Sequence, residues 1–405
     1  MDEIIVYLDD YKSLGSGKYE IMYLDFRTSD DYENFIKITQ TKEKPHGSYI
    51  KIKNYHSPNR LRKGAYYTLN VDLLKQMPTE PVANSLLFMA SFNMANSNGN
   101  NLLLQPHKKL DPKELKASQH NKIDKLEAIA GLEGLKISVN NVGQANWNEV
   151  RNESSVIFVF DIGAPINAKI AEVEKYIKEY AKNYRDYQPV LILSHWDVDH
   201  YHCLLNMSDA EIVQCFSKFI CVDKMKSMTS KQLYDRIEKL LGGNNVCCIN
   251  PDARTKGIPY PRMKEKYCAD GVGVYAGEDS NNTNYSGIIL FIQGIDKSVI
   301  FSGDSYPVQV SQVLAYQTSR YDASGKGYYL VVPHHGGDFK NKKCRKYHCL
   351  NEVNALEAII SVGQNNIYGH PSANMINYLQ SVAKWKIFRT DLNDTITRNL
   401  SHYII

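Results

Sequence analysis

Apolar and polar positions along the first 94 residues follow the pattern of short β-strands. The runs EIIVYL, YEIMYLDF, SYIKIKNY and AYYTLNV are rich in β-branched and aromatic residues, and turn-forming residues separate them. Short runs of this composition between turn signals are typical of strands. We therefore predict a small, β-rich N-terminal module over residues 1–94.

The pattern changes over residues 95–132, where we predict a linker and a helix. The segment ANSNGNN (95–101) has the composition of a loop. Asp111 is suited to the N-cap of a helix and Pro112 to its first turn. The helix is predicted to run through about Ala130.

From residue 133 to 405, apolar strand-like runs alternate with helical stretches. The runs are KISVNNV, SVIFVFDIG, PVLILS, VCCIN, GIILFIQG, SVIFSGD, YYLVVP, AIISVG and WKIFRT, and helices are predicted over 166–184 and 229–241. Gly242 and Gly243 are a strong stop signal for the second helix. This alternation is typical of a layered α/β fold.

Composition narrows the class of protein. Hydrophobic residues make up 43% and charged residues 23% of the chain, which are values of a globular protein. A net charge of +4 permits a polyanionic substrate but is weaker than the basic patch of a dedicated nucleic-acid binder. Neither a signal peptide nor a membrane span is apparent, so we expect a cytoplasmic protein without membrane contact.

Cysteine usage agrees with a reducing compartment. All eight cysteines fall between Cys203 and Cys349 at irregular spacing, and we expect them to be reduced thiols. Cys344, His348 and Cys349 could form part of a zinc site. Three candidate ligands in a lysine-rich loop favour the alternative that there is no site.

Four of the predicted strands end in residues that can bind metal ions. PVLILS leads to His195, Asp197, Asp199 and His200, SVIFSG to Asp304, YYLVVP to His334 and His335, and AIISVGQNNIYG to His370. Active sites of α/β folds lie at strand ends. Two metal ions of a hydrolase need nitrogen and oxygen ligands with a bridging carboxylate, which this set supplies. A solvated polar loop explains any one of these residues, but not the joint pattern.

The loop from His195 to His200 resembles the HxHxDH motif of the metallo-β-lactamase fold, with Asp197 at the second histidine. The variant HxDxDH is similar to the soluble metallo-β-lactamase-like domain of ComEC-type DNA-uptake channels. Further segments resemble that domain in the same order: VNNVGQANW (139–147), FVFDIG (158–163), NYSGIILFI (284–292), FSGD (301–304), VVPHHGG (331–337), SVGQNNIYGHP (361–371) and FRTD (388–391). The resemblance covers about residues 133 to 395.

The resemblance implies an αββα sandwich with one or two divalent ions at one edge. His195 and Asp197 would bind one ion, and Asp199 and His200 the other. Asp304 would bridge the ions, and His334 would complete the second site. The implied metal ligands are His195, Asp197, Asp199, His200, Asp304, His334 and His370, and the implied catalytic residues are Asp199, Asp304 and His335.

Two further roles follow from the same resemblance. His335 or His370 would lie close enough to bind metal, hold the scissile phosphate or protonate a leaving oxygen. Asp161 would orient the HxDxDH loop.

The chain also departs from that pattern. It has no histidine between His202 and His334, where many dinuclear members have a further ligand, and Ala145 and Asn146 replace Gly and Asp in the VGQAN turn. It lacks the channel's membrane helices, so DNA uptake does not carry over. The Asp197 carboxylate makes the site harder and more negative than an all-histidine site, which favours Mn²⁺ or Mg²⁺, with Zn²⁺ as the alternative.

These observations predict a metal-dependent hydrolase. The favoured hypothesis is a phosphodiesterase or nuclease that uses a metal-activated water on a nucleic acid or a small phosphodiester. The alternatives are a hydrolase of carboxylic esters or lactones, and a non-catalytic interaction protein with a remnant of the metal site.

The N-terminal module is expected to bind substrate or a protein partner. Its basic residues Lys51, Lys53, Arg60, Arg62 and Lys63 lie near Tyr49, Tyr55, Tyr66 and Tyr67 in the sequence. Basic and aromatic residues so interleaved could contact single strands. The favoured alternative is a solvated basic edge on a β-rich core.

Overall fold

The computed structural model describes residues 3–41, 48–82, 85, 87–95, 102–107, 115–129, 132–280, 282–320, 327–338, 355–364, 366 and 368–401. The chain divides into two compact units. One comprises Met1–Ala117, Ile166–Glu174 and Lys224–Arg236, and the other Ser118–Pro165, Lys175–Asp223 and Ile237–Ile405. Asp111, Pro112, Cys344, His348 and Cys349, which carry the predicted helix start and the possible zinc site, lie outside the described residues.

The first unit contains a β-sheet and confirms the β-rich N-terminal region. Its described strands are β1 (Ile4–Gly15), β2 (Lys18–Phe26), β3 (Tyr49–His56), β4 (Ala65–Leu69), β5 (Phe88–Asn93) and β6 (Leu104–Pro106), in the order β5-β3-β2-β1-β4-β6. The helices are α1 (Ser29–Thr39) and α2 (Val71–Lys75). The first four strands correspond to the four predicted runs.

Helix α1 was not predicted, although the sequence carries its start signal. Thr28 and Asp31 form a capping box, in which each side chain accepts from the backbone N–H of the other residue. Asp31 also accepts a hydrogen bond of 2.8 Å from the N–H of Ile5 in β1. Phe35 packs against Phe26 at 5.1 Å between ring centroids, so one face of the helix covers the sheet.

The four tyrosines that lie near the basic residues of the N-terminal module are core residues of this unit. Tyr49, Tyr55, Tyr66 and Tyr67 are all at most 5% exposed. Lys53 forms an ion pair with Glu80, and Lys63 pairs with Asp10. The four rings are therefore buried rather than presented for base stacking, as the favoured alternative predicts.

The second unit contains two seven-stranded sheets. The strands are β7 (Lys136–Val139), β8 (Trp147–Arg151), β9 (Val156–Ile162), β10 (Val190–Ile192), β11 (Lys218–Val222), β12 (Val246–Ile249), β13 (Met263–Ala269), β14 (Val272–Gly277), β15 (Ile288–Gln293), β16 (Ser298–Phe301), β17 (Tyr328–Val331), β18 (Ala355–Ile360), β19 (Lys386–Arg389) and β20 (Ile396–Asn399). The sheet orders are β12-β11-β10-β9-β8-β7-β20 and β13-β14-β15-β16-β17-β18-β19. Strands β9 to β12 pair in parallel, and so do β16 to β19.

The remaining described helices are α3 (Ile170–Tyr180), α4 (Tyr184–Tyr187), α5 (Val198–Asn206), α6 (Asp209–Cys215), α7 (Met228–Leu241), α8 (Thr283–Ser286), α9 (Pro307–Arg320), α10 (Ala373–Asn377) and α11 (Thr390–Asn393). Helix α7 confirms the prediction over 229–241, and Gly242 follows it with a φ of 79°. The helix predicted over 166–184 begins at Ile170 and is interrupted after Tyr180 by a short 3₁₀ turn. None of the described helices is both long and apolar enough to span a bilayer.

The continuous apolar runs of the sequence are strands buried on both faces. In β15, Leu290 and Ile292 enter the core between the two sheets, whereas Ile289 and Phe291 join a second core that includes residues of α9. Phe160 of one sheet stacks on Phe301 of the other at 5.7 Å. Because side chains of a strand alternate between faces, a strand covered on both sides needs apolar residues at every position. Helices α4 and α5 contact β9 of the other sheet, which gives the predicted αββα layering.

The helix predicted through Ala130 is not present in the described residues 117–129, which form neither a helix nor a strand. Ile123, Leu126 and Ile129 are buried in the core between the sheets. The side chain of Asn121 donates to the backbone oxygens of Gly243 and Val246. The spacing of the three apolar residues is close to a helical period, but their side chains are buried between the sheets without a helix.

Candidate metal centre

The ends of strands from both sheets supply the candidate site. Asp161 lies at the end of β9, and His195 and His200 follow β10 in the first sheet. Asp304 follows β16, and His335 follows β17 in the second sheet. Parallel strands bring their carboxyl ends to one edge of a sheet, which is how residues distant in sequence meet here.

Asp161 organises the loop that carries the first histidines. Its two oxygens accept from the N–H and the hydroxyl of Ser194, at 2.7 and 2.9 Å, and Oδ2 lies 2.8 Å from His200 Nδ1. Asp161 adopts a φ of 63°, which Asp tolerates better than most residues. The side chain therefore holds the loop and the His200 ring, as the resemblance implies.

The same arrangement fixes the other two buried imidazoles. His195 Nδ1 lies 3.0 Å from the Ser194 hydroxyl, which itself donates to Asp161, so His195 Nδ1 is the donor in this network. His335 Nδ1 donates to the carbonyl oxygen of Ser361 over 2.8 Å. In all three rings the Nδ1 atom is engaged, and the Nε2 lone pair is left to face the site.

Three imidazoles and two carboxylates converge in two overlapping groups. His195, His200 and Asp304 form the first cluster, and Asp199, His200 and His335 form the second cluster; within each, the potential ligand atoms lie within 4.8 Å of one another. Asp304 Oδ1 lies 3.3 Å from His200 Nε2 and 3.8 Å from His335 Nε2. Its other oxygen lies 3.9 Å from His195 Nε2. Asp304 thus touches both clusters, as a bridging ligand would.

Asp197 lies beside the first cluster. Its Oδ2 atom is 3.6 Å from His195 Nε2, and its Oδ1 accepts a hydrogen bond of 2.8 Å from the hydroxyl of Thr283. The side-chain nitrogen of Asn284 lies 3.4 Å from Asp304 Oδ2. Neither Thr283 nor Asn284 was assigned a role from the sequence, although Asn284 is the first residue of NYSGIILFI (284–292), a segment of the resemblance.

The adjacent histidines 334 and 335 diverge around Asp304. Both have left-handed backbone angles, with φ of 53° and 51°. His335 Nε2 lies 3.3 Å from Asp199 Oδ2, whereas His334 Nδ1 lies 2.5 Å from Asp304 Oδ2. The structure therefore brings His335, and not His334, to the position beside Asp199 and His200 that sequence reasoning gave to His334.

His370 lies at the margin of the site, outside both clusters of the described residues. Its ring centroid is 5.3 Å from that of His334 and 5.8 Å from that of Tyr368. Gly337 leaves the space for it, because a Cβ there would lie 2.4 Å from His370 Cε1. Metal ligation by His334 and His370 stays a prediction.

Electrostatics favour the ionised forms of Asp304 and Asp199. Burial opposes ionisation of Asp304, but the positive charges of His334 and His200 outweigh it and hold the pKa of Asp304 well below its usual range. Burial likewise opposes ionisation of Asp199, and neighbouring His200 and His335 lower its pKa. Burial also opposes protonation of His200, yet Asp161, Asp199 and Asp304 raise the pKa of His200 well above its ordinary value.

The donor set fits a divalent cation. Among the described residues, the Nε2 atoms of His195, His200 and His335 and Oδ1 of Asp304 are buried without a hydrogen bond. Leaving a buried polar atom unsatisfied costs about 1–3 kcal/mol. A cation among imidazole lone pairs and carboxylates would satisfy all four atoms together.

His202 does not belong to this set. Its Nδ1 lies 2.9 Å from the carbonyl oxygen of Pro165, and burial lowers the pKa of His202 to about 4. The ring is neutral near pH 7 and supports helix α5 from the side of Pro165.

No family model matches this sequence, and no curated protein matches it. Solved structures similar to the chain include a metal-dependent hydrolase of the β-lactamase superfamily, at 9% identity and a TM-score of 0.38, over 66% of this chain and 99% of that one. The diiron β-hydroxylase CmlA from Streptomyces venezuelae is 13% identical, with a TM-score of 0.38, over 66% and 55%. The metallo-β-lactamase fold protein YhfI from Bacillus subtilis is 11% identical, with a TM-score of 0.37, over 65% and 99%.

The expected fold class is confirmed. Two sheets packed face to face, helices on their outer sides and a histidine and aspartate cluster at the strand ends make up the predicted αββα sandwich. The first of these structures is described as a member of the β-lactamase superfamily and YhfI as a metallo-β-lactamase fold protein, and neither is described as a ComEC-type protein. The finer resemblance to the ComEC-type domain stays a prediction.

Proposed function

We propose that this chain is a metal-dependent hydrolase of phosphodiesters, acting on a nucleic acid or a small phosphodiester. The observation that carries the proposal is the convergence of three buried Nε2 atoms on Asp304, each left without a hydrogen bond. Their Nδ1 atoms are all engaged by neighbouring groups, which is the arrangement of ligating histidines. Two overlapping clusters provide for two ions.

The balance of ligands favours hard ions and phosphoryl substrates. Asp197, Asp199 and Asp304 contribute carboxylates, against the three imidazoles of His195, His200 and His335. Carboxylate oxygens suit Mn²⁺ and Mg²⁺ better than sites built from imidazole alone. A pair of such ions would lower the pKa of water and neutralise charge on phosphoryl oxygens.

The residues of the chain have separate roles in this proposal. Asp199, whose side chain is 22% exposed, and the buried Asp304 are the acceptors for a proton from water. His334, 26% exposed, lies next to His370, and this pair would contact the phosphoryl oxygen or protonate the leaving group. His335 is buried, and in this structure it faces Asp199 as a ligand would.

The decisive experiment measures metal content and hydrolysis together. Purified protein is supplied with Mn²⁺, Mg²⁺ or Zn²⁺ and assayed on single-stranded DNA, RNA, cyclic dinucleotides and chromogenic phosphodiesters, with carboxylic esters and lactones in parallel. We expect Mn²⁺-dependent cleavage of at least one phosphodiester. Turnover of esters or lactones alone would instead make the protein a carbonyl hydrolase.

Matched variants exclude a contaminating activity. Asp304→Asn removes the carboxylate that touches both clusters and is expected to lower kcat by at least about 100-fold. Asp235→Asn makes the same change at an exposed side chain paired with Lys231, and is expected to retain activity. Equal activity of the two variants, or less than one bound ion per chain of the wild type in Mn²⁺, would refute the proposal.

A further inference from the structure

Among the described residues, the first cluster contains two imidazoles and no third. The chain has no histidine between His202 and His334. Its two imidazoles are those of His195 and His200, and His200 is shared with the second cluster. In the turn 282–285, which precedes β15, Thr283 lies against the carboxylate of Asp197 and Asn284 against that of Asp304, where His334 Nδ1 also lies 2.5 Å from Oδ2.

This turn is held rigidly from several directions. Its start is an Asx turn, because Asn282 Oδ1 accepts from the N–H of Asn284 over 3.0 Å. The side chain of Gln309 donates to the carbonyl oxygen of Tyr285 over 2.7 Å. Gly277 permits the close approach of that same carbonyl, because a Cβ at Gly277 would lie 1.7 Å from it.

The end of the turn is attached to the metal-binding loop itself. The N–H of Ile288 donates to the carbonyl oxygen of Ser194 over 2.8 Å, immediately before His195. A Cβ at Gly287 would lie 3.2 Å from that oxygen and 3.6 Å from His195 Cβ. Positions 283 and 284 are therefore fixed relative to His195, which is a requirement for a ligand but not for a surface turn.

Thr283 has one hydroxyl proton, and the geometry gives it to Asp197. The distance to Asp197 Oδ1 is 2.8 Å, and the distance to Asn284 Oδ1 is 3.2 Å. Thr283 is 5% exposed and Asp197 2%, so the hydrogen bond is shielded from water. It orients the carboxylate so that Oδ2, and not Oδ1, lies 3.6 Å from His195 Nε2.

Asn284 brings a carboxamide to Asp304. Its nitrogen lies 3.4 Å from Oδ2, the oxygen that faces His195. An amide side chain turned by half a rotation exchanges its nitrogen for its oxygen with little movement of other atoms. The carbonyl oxygen of Asn284 then takes the place that the nitrogen has here, beside a carboxylate that would bind the same ion.

We propose that Asn284 is an oxygen ligand of the ion in the first cluster and that Thr283 is the positioning residue of Asp197. The inference rests on the proposed function. A neutral amide oxygen replaces the missing imidazole, so the first ion is held by harder and weaker donors than the ion of the second cluster. The two ions therefore bind in separate steps, and the weaker step prefers Mn²⁺ to Zn²⁺.

The test follows metal binding without using activity. Metal-free protein is titrated with Mn²⁺ by calorimetry, and bound manganese is measured after equilibrium dialysis. The wild type is expected to bind two ions in two steps. Asn284→Ala is expected to weaken the second step by about 10–100-fold and to leave the first unchanged, while Asn284→Asp, which keeps an oxygen, retains both.

Thr283 is tested by a hydroxyl-free and a hydroxyl-bearing variant. Thr283→Val keeps the shape of the side chain and is expected to weaken the same second step, whereas Thr283→Ser is expected to restore it. The unchanged first step reports that each variant is folded, and thermal unfolding provides a second check. A role confined to stabilising the turn would lower the melting temperature without separating the two binding steps.

The outcomes separate this inference from the proposed function. Two ions bound by Asn284→Ala with the affinities of the wild type would refute the ligand role. One ion bound by the wild type at saturation would also refute it, while leaving a one-metal hydrolase intact. No ion bound by the wild type would refute the proposed function itself.

Discussion

Asp161 Oδ2 accepts a hydrogen bond of 2.8 Å from His200 Nδ1, and both side chains are fully buried. The bond sets the tautomer of His200, because a ring that donates from Nδ1 presents a lone pair at Nε2. Nε2 lies 3.3 Å from Asp304 Oδ1, and because the carboxylates raise the pKa of His200, an ion that binds this nitrogen would displace a proton. Asp161, from the first sheet, thus orients the imidazole of His200 so that its Nε2 atom faces Asp304, from the second sheet.

Asp161→Asn is expected to lower Mn²⁺ affinity by about 10–100-fold, because the variant removes the charge that supports His200 as a ligand. Asn tolerates the left-handed backbone at this position, so the change isolates the charge from the backbone conformation. Calorimetric titration with Mn²⁺ measures the effect. Affinity equal to that of the wild type would mean that Asp161 serves the loop only.

Metal binding is expected to stabilise the protein against heat. Four buried atoms without hydrogen bonds in the metal-free chain gain a partner, and ligand at 100 times Kd stabilises a folded state by about 2.7 kcal/mol. Differential scanning fluorimetry with chelator and then with Mn²⁺ should show a rise of several degrees in Tm. Asp304→Asn is the control, and the same rise in that variant would contradict binding at these clusters.

Gly337→Ala is expected to displace His370 without straining the backbone. Gly337 has a φ of −71°, which Ala adopts freely, but the new methyl group would lie 2.4 Å from His370 Cε1 and 2.9 Å from His334 Cδ2. If His370 contacts the substrate, kcat should fall as far as in His370→Ala, with little change in bound manganese. Kinetics and metal content measured on both variants decide this, and full activity of Gly337→Ala would contradict it.

Glu149 is expected to make stability depend on pH. Burial raises the pKa of Glu149 above its ordinary value of 4.5, although the Tyr184 hydroxyl donates to it over 2.6 Å. A raised native pKa means that the folded protein binds the proton more tightly than the unfolded chain. The stabilisation is then present below pH 4.5 and is lost as pH rises through the native pKa.

Glu149→Gln keeps an acceptor for Tyr184 but cannot ionise. Its free energy of unfolding, relative to the wild type, is therefore expected to increase between pH 4.5 and pH 7.5. Urea unfolding at both pH values measures the difference. Glu153→Gln, at an exposed side chain nearby, controls for the substitution, and a difference independent of pH would contradict the prediction.

The strands and most of the candidate ligands could be predicted from the sequence, and the reason is physical. Strands buried on both faces are continuous apolar runs, and the ligands follow these runs directly. His195 and Asp197 therefore lie where a local pattern places them, after β10. The contact of Asp161 with His200 spans 39 residues but follows from parallel pairing of β9 and β10.

Other features depend on contacts that no local pattern encodes. Thr283 lies 86 positions from Asp197, and its role arises only when β15 pairs beside the metal-binding loop. The side chains of His334 and His335 point to different partners because both residues have left-handed backbone angles. No helical or strand period in the sequence predicts such a pair. Ile123, Leu126 and Ile129 have a helical spacing, but burial between sheets determines their conformation.

Asp304 extends from the second sheet, whereas His195 and His200 extend from the first. An ion held by all three would join the open edges of both sheets by coordinate bonds. Separation of the sheets would then require ligand exchange, which gives the loaded protein a slow unfolding rate in addition to a lower free energy. Dissociation of the ion would then limit the rate at which the two sheets separate, so the folded state would persist for as long as the metal stays bound.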